Sequence, residues 1–150
     1  MRYYYLFILT LIAGTSLHAQ TTEDSVKATI NKLFESMKNS DAAALTSVFA
    51  DSAIMQTIVN TKDGKTIIRN EKIVDFSAAI SKLPKGAADE RITFETVKTD
   101  GPLAIVWTPY QFYFNSQFSH CGVNSFQLVR LNGQWKIQYI IDTRRKQCTD

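Results

Sequence analysis

Residues 103–143 read LAIVWTPYQFYFNSQFSHCGVNSFQLVRLNGQWKIQYIIDT. Two turn signals, Asn115-Ser116 and Asn132-Gly133, cut this stretch into three runs rich in β-branched and aromatic residues, the pattern of an antiparallel meander. The runs are Leu103 to Phe114, Phe118 to Leu131 and Gln134 to Thr143. Two-residue turns at both places set the register. Across Asn132-Gly133, Leu128 then faces Ile137 and Phe126 faces Tyr139; across Asn115-Ser116, Tyr113 faces Phe118 and Trp107 faces Asn124. One face collects Leu103, Ile105, Trp107, Phe126, Leu128, Ile137 and Tyr139, the expected core. The other mixes Ser125, Gln127, Lys136 and Asp142 with Val106, Tyr110 and Ile140. It suits solvent or a sheet-to-sheet contact with a second copy. Pro109 lacks an N–H and is a candidate bulge, which would reverse parity on one side of it.

Upstream, the periodicity changes from two to about 3.6. Val26, Ile30, Leu33, Phe34 and Met37 form one stripe of an amphipathic helix over Thr22–Asn39. Ser40 or Asp41 caps a short second helix ending near Phe49. Ala53–Asn60 and Lys65–Arg69 read as a strand pair around the Asp63-Gly64 turn, and Ile73, Phe76, Ile80 and Leu83 mark a third helix stopped by Pro84. A further strand is expected over Arg91–Thr99. Helices first and a meander last predict an α+β domain.

The chain has 150 residues, 45% apolar and 21% charged, within the range of one domain. Residues 1–19 read as a cleavable signal peptide: Arg2, an apolar run from Tyr3 to Ile12, then a small-residue stretch ending in Ala19 before Gln20. The run is about ten residues, against roughly 20 for a spanning helix, so no membrane anchor is expected after cleavage. The domain itself is then 20–150, periplasmic or secreted. A net charge of +3, with Arg144-Arg145-Lys146 the one basic cluster, does not make a nucleic-acid surface.

The order helix, short helix, strand pair, helix and long meander is similar to the nuclear transport factor 2-like superfamily, the SnoaL-like or cystatin-like cone fold. Its cues are the Asp41–Ala53 segment and the final Asn132-Gly133-Gln-Trp135-Lys136-Ile137 strand. Tyr110-Gln-Phe-Tyr113, Ser119-His120-Cys121-Gly122 and the Asp142–Cys148 tail resemble an exported bacterial branch. The resemblance implies a cone-shaped half-barrel, a strongly bent and mostly antiparallel sheet around three helices, with a pocket at the open end. Relatives of this fold include dehydratases, isomerases and epoxide hydrolases, and also binding and dimerisation modules, so the fold does not choose among them.

On the register above, the polar end of the buried face lies far from the Asn132-Gly133 turn. It places Gln111, His120 and Asn124 beside Trp107, Tyr113 and Tyr139, which are the expected ligand-binding residues. His120, the single histidine after residue 19, is the candidate general base, with Tyr113 or Asp142 as partner. Asp142, Arg144 and Arg145 are a candidate anion site or an ion pair at the strand end. One histidine without clustered acidic or cysteine partners is no usual metal site, and no cofactor is expected. Cys121 and Cys148, in an exported chain, most simply form a disulfide; a Cys121–His120 nucleophilic pair is disfavoured because adjacent strand residues diverge. Two readings follow. One is an exported small-ligand-binding domain that pairs as a homodimer. The other is a cofactor-free lyase, isomerase or hydrolase using His120.

Overall fold

The computed structural model describes residues 21–148, so the expected signal peptide lies outside the described residues. Helix α1 spans Thr22–Lys38 and opens on a capping box, in which Thr21 accepts from the Asp24 N–H while the Asp24 side chain accepts from the Thr21 N–H. Its stripe is the expected one, with Val26, Ile30, Leu33, Phe34 and Met37 buried. Helix α2 (Ala42–Ser47) is capped by Asp41, whose side chain accepts from the Ala44 N–H, and α3 covers Ile73–Ile80.

The described residues form seven strands, two before α3 and five after it: β1 (Phe49–Asn60), β2 (Thr66–Glu71), β3 (Ala88–Ile92), β4 (Thr96–Asp100), β5 (Leu103–Phe114), β6 (Gln117–Leu131) and β7 (Gln134–Thr143). They form one mixed sheet in the order β2-β1-β7-β6-β5-β3, with β4 also on β5. Every pairing is antiparallel except β1 with β7, which is parallel and joins strands from opposite ends of the chain. The α+β class and mostly antiparallel sheet are as expected. The strong curl is not: the sheet is open, with β2 at one edge and β3 and β4 at the other.

Both expected two-residue turns are present, with Asn115, Ser116, Asn132 and Gly133 all at positive φ, as a turn matched to strand twist requires. The pairs next to them are also as expected, Tyr113 with Phe118 and Leu128 with Ile137. Farther out the register shifts twice. Ser119 is an extra residue in β6, so Phe112 faces His120 and Trp107 faces Ser125. Gln138 is extra in β7, so Phe126 faces Ile140 and Asn124 faces Asp142. Each bulge exchanges the two faces of a strand. Ala104, Val106, Thr108 and Tyr110 therefore point inward, where Leu103, Ile105 and Trp107 were expected.

Pro109 is not the bulge. It pairs in register with Val123, and its carbonyl accepts from the Thr93 N–H at 2.9 Å on the other side. The N–H it lacks faces the sheet edge where β3 stops and β4 has not begun. One expected strand over 91–99 is thus two, broken opposite the proline.

The core lies between α1, α2 and the inner sheet face. Phe126, Leu128 and Ile137 are fully buried, and Phe34 meets Phe126 edge to face with ring centroids 6.3 Å apart. Cys121 and Cys148 are joined in a disulfide, with Cα atoms 6.0 Å apart. It holds the tail after β7, and Cys121 exchanges both backbone hydrogen bonds with Arg145.

Candidate functional site

The inner sheet face is not apolar throughout. At the end far from the Asn132-Gly133 turn, the register places Thr108, Asn124, Asp142 and Thr57 in one row across β5, β6, β7 and β1. All four are buried. The hydroxyls of Thr57 and Thr108 make no hydrogen bond to the described residues, which costs about 1–3 kcal/mol each. A row of this kind weakens the core, so its position beside a pocket is informative.

That pocket has a volume of about 140 Å³ between the helices and this end of the sheet. Its body is apolar: Leu33, Phe34 and Met37 from α1, Phe76 and Ile80 from α3, and Phe112 from β5. Its polar wall is Glu90, Tyr110, His120, Asn124, Asp142 and Arg144, with Glu71 at the exposed rim.

Two hydrogen-bonded groups organise the wall. In the first, Asn124 Nδ2 donates to Glu90 Oε1 at 2.8 Å. In the second, Asp142 Oδ2 accepts from Arg144 Nε at 2.9 Å and lies 3.1 Å from the Tyr110 hydroxyl. The same hydroxyl is 2.9 Å from the Thr143 carbonyl oxygen, so one proton serves two acceptors. Tyr110 reaches them by crossing Gly122, where a Cβ would overlap the Thr143 carbonyl oxygen and lie 2.8 Å from the tyrosine ring. Glycine is required here for the close approach of β7 and the ring.

Burial pushes the Glu90 carboxyl up to about 7, and the charge of Asp142 adds to the shift; the Asn124 hydrogen bond and Arg144 oppose it. Burial also raises the Tyr110 phenol, again with help from Asp142 and then Glu90. His120 is held below its ordinary range, first by burial and then by Arg144. A carboxyl raised in the folded state contributes stability below its unfolded pKa near 4.5, and this is lost as pH rises through about 7. Glu90→Gln should therefore match the parent near pH 4 and exceed it by about 2 kcal/mol near pH 8, a value discounted for contact with solvent. Urea melts at both pH values check this; parallel stabilities would contradict it.

The expected site residues divide by face. His120, Asn124 and Asp142 line the pocket. Trp107, Gln111, Tyr113 and Tyr139 do not, because the bulges at Ser119 and Gln138 turn them to the outer face. Trp107 is 44% exposed, Tyr113 lies under the Arg91 guanidinium, and Tyr139 donates to Gln56 Oε1 at 2.7 Å. His120 is not joined to a carboxylate or a tyrosine hydroxyl by a hydrogen bond among the described residues. Its Nδ1 is 3.1 Å from Ser119 Oγ, and its ring packs against Tyr110 and Phe112. The His120–Tyr113 pair is thus not assembled. Glu90, Tyr110 and Arg144 were not expected in the wall. No group of three or more potential metal ligands occurs among the described residues, and no described helix is long and apolar enough to cross a membrane.

The fold is that of the NTF2-like, or cystatin-like, proteins. The chain is similar to an NTF2-like protein of unknown function from Shewanella baltica OS155, at 15% identity and a TM-score of 0.62, covering 82% of this chain and 93% of that one. It is similar to another from Methylobacillus flagellatus KT, at 18% identity and a TM-score of 0.63, covering 88% and 99%. A cystatin-like domain from Nostoc punctiforme PCC 73102 aligns at 15% identity and a TM-score of 0.64, covering 86% and 80%. No curated protein matches the chain. Within this class, the chain belongs to the family described as "Putative lumazine-binding", whose model matches residues 21–139.

Proposed function

We propose that this is an exported binding domain for a small fused-ring heteroaromatic of the lumazine class, held in the pocket between the helices and the sheet. The observation that carries the reading is the pocket's construction, an apolar body closed at one end by Glu90, Asn124 and Asp142. Ligand sites combine these parts, and the polar groups fix orientation. An apolar cavity of about 150 Å³ holds benzene. This pocket is about 140 Å³ and reaches the surface at Glu71 and Arg144, which leaves room for a second fused ring. The ring edge of such a ligand alternates N–H and C=O groups, and Glu90 accepts where Asn124 and Arg144 donate. The family description supports the same ligand class.

Export behind residues 1–19 is part of the proposal. The Cys121–Cys148 bridge supports it, since such bonds persist in oxidising compartments. So is pairing with a second copy through the outer sheet face, where Leu103, Ile105 and Trp107 are 43–45% exposed. Native mass spectrometry of protein from its own host reports cleavage, dimer and retained ligand together, and an uncleaved or monomeric mass counts against the corresponding part. Titration with lumazine, followed by its fluorescence, tests the pocket itself. Binding is expected in the parent, with at least a tenfold loss in Asn124→Leu, which removes the donor to Glu90. No binding up to ~1 mM, or unchanged binding in that variant, overturns the reading.

A further inference from the structure

The pocket's inner wall and the hollow beside its mouth carry charges of opposite sign. Its inner wall carries two carboxyl groups, Glu90 and Asp142. Its mouth carries Glu71 and Arg144 and meets a second hollow of about 230 Å³, lined by His120, Arg144, Arg145 and Lys146. His120 and Arg144 line both spaces, so the two adjoin. Arg144 is paired with Asp142, but Arg145 and Lys146 form no ion pair with a described residue. Lys146 is also placed: its Nζ donates to the Ser119 carbonyl at 2.9 Å, which brings the ammonium beside His120. The backbone exchange between Cys121 and Arg145 and the Cys121–Cys148 disulfide fix the tail that carries these cations.

We infer that the ligand carries an acidic arm, a carboxylate or phosphate, which stays outside on Arg145 and Lys146 while the ring enters. This rests on the reading of the pocket as a ring-binding site, and it fixes the ligand's orientation. An anion placed inward would meet Glu90 and Asp142 with Arg144 as its nearest cation, already paired. An anion placed outward meets Arg145 and Lys146, which form no ion pair with a described residue. The same arrangement disfavours a cationic arm in the outer hollow.

Lumazine and lumazine-6-carboxylate, titrated into the full mature protein at a pH where the ring is neutral, test this. The carboxylate is expected to bind about tenfold more tightly at low salt. That advantage should vanish in Arg145→Ala/Lys146→Ala, with lumazine affinity unchanged. It should also shrink in the parent at ~0.5 M NaCl, since exposed charges are screened. A thermal melt checks the double variant; should it not fold, the salt series on the parent decides. Equal affinity of the two rings, or an advantage that survives both the substitutions and salt, overturns the proposal. If neither ring binds, the pocket reading falls and this one with it, so the lumazine arm tells the two failures apart.

Discussion

Gly122→Ala is expected to cost about 3 kcal/mol of stability and to lower lumazine affinity at least tenfold. The added methyl would overlap the carbonyl oxygen of Thr143 and crowd the ring of Tyr110 at 2.8 Å. Backbone is the part that has to move, because the oxygen belongs to the main chain at the end of β7. Moving it breaks the 2.9 Å bond from the Tyr110 hydroxyl and shifts the next residue, Arg144, away from Asp142. A single methyl thus acts on stability and on the pocket wall together. Urea melts and the lumazine titration check the two effects. A variant that keeps both parental values would show that β7 can approach β6 at this point without glycine.

Removing the disulfide should have a comparable effect on stability and a different one on the site. Cys121 and Cys148 are 27 residues apart, and closing a loop of that size stabilises by about 3–4 kcal/mol in the chain-entropy model. Cys121→Ser/Cys148→Ser is expected to lose that amount, lowering the melting temperature by roughly 10 °C for a domain of this size. The sheet itself remains, since Cys121 sits in a β6 ladder that pairs with β5 independently of the tail. The loss should therefore appear as a lower midpoint with the same cooperativity. A change under about 1 kcal/mol would mean that the Cys121–Arg145 backbone pair alone fixes the tail.

Much of this fold is legible because its strongest signals are local. The α1 stripe, the Asp41 cap and the two hairpin turns each depend on a few neighbouring residues, and each stands where the sequence places it. The bounds of β5 and β7 follow from those turns. What local pattern does not carry is the bulge. Ser119 and Gln138 look like any other strand residue, yet each moves its strand by one position and exchanges its two faces. The inward parity of β6 is legible from His120 through Leu128, so His120 and Asn124 are found. Parity of β5 and of the far half of β7 is not, so Trp107, Gln111, Tyr113 and Tyr139 stand in for Tyr110 and Arg144, and Asp142, named as a partner for His120, is put on the outer face. A signal was present: the expected inner set of β5 put Trp107 and Gln111 on the core face while leaving Val106, Thr108 and Tyr110 outside. Glu90 is missed for another reason. It lies on edge strand β3, and its place in the wall depends on β5, where its partner Phe112 stands 22 residues further on. The parallel pairing of β1 with β7 is equally non-local.

That parallel pairing bears on when the domain can fold. Strand β1 ends at Asn60, but its partner β7 begins at Gln134. Until residues 134–143 have been made, β1 has only the exposed β2 hairpin to pair with, and a lone hairpin is at best marginal in water. The centre of the sheet therefore closes last, and long-range closure of this kind slows folding. Under the proposed export, such a delay would keep the early segments threadable through a translocation channel. On that proposal the topology would postpone the fold until Cys148 can meet Cys121 in an oxidising compartment.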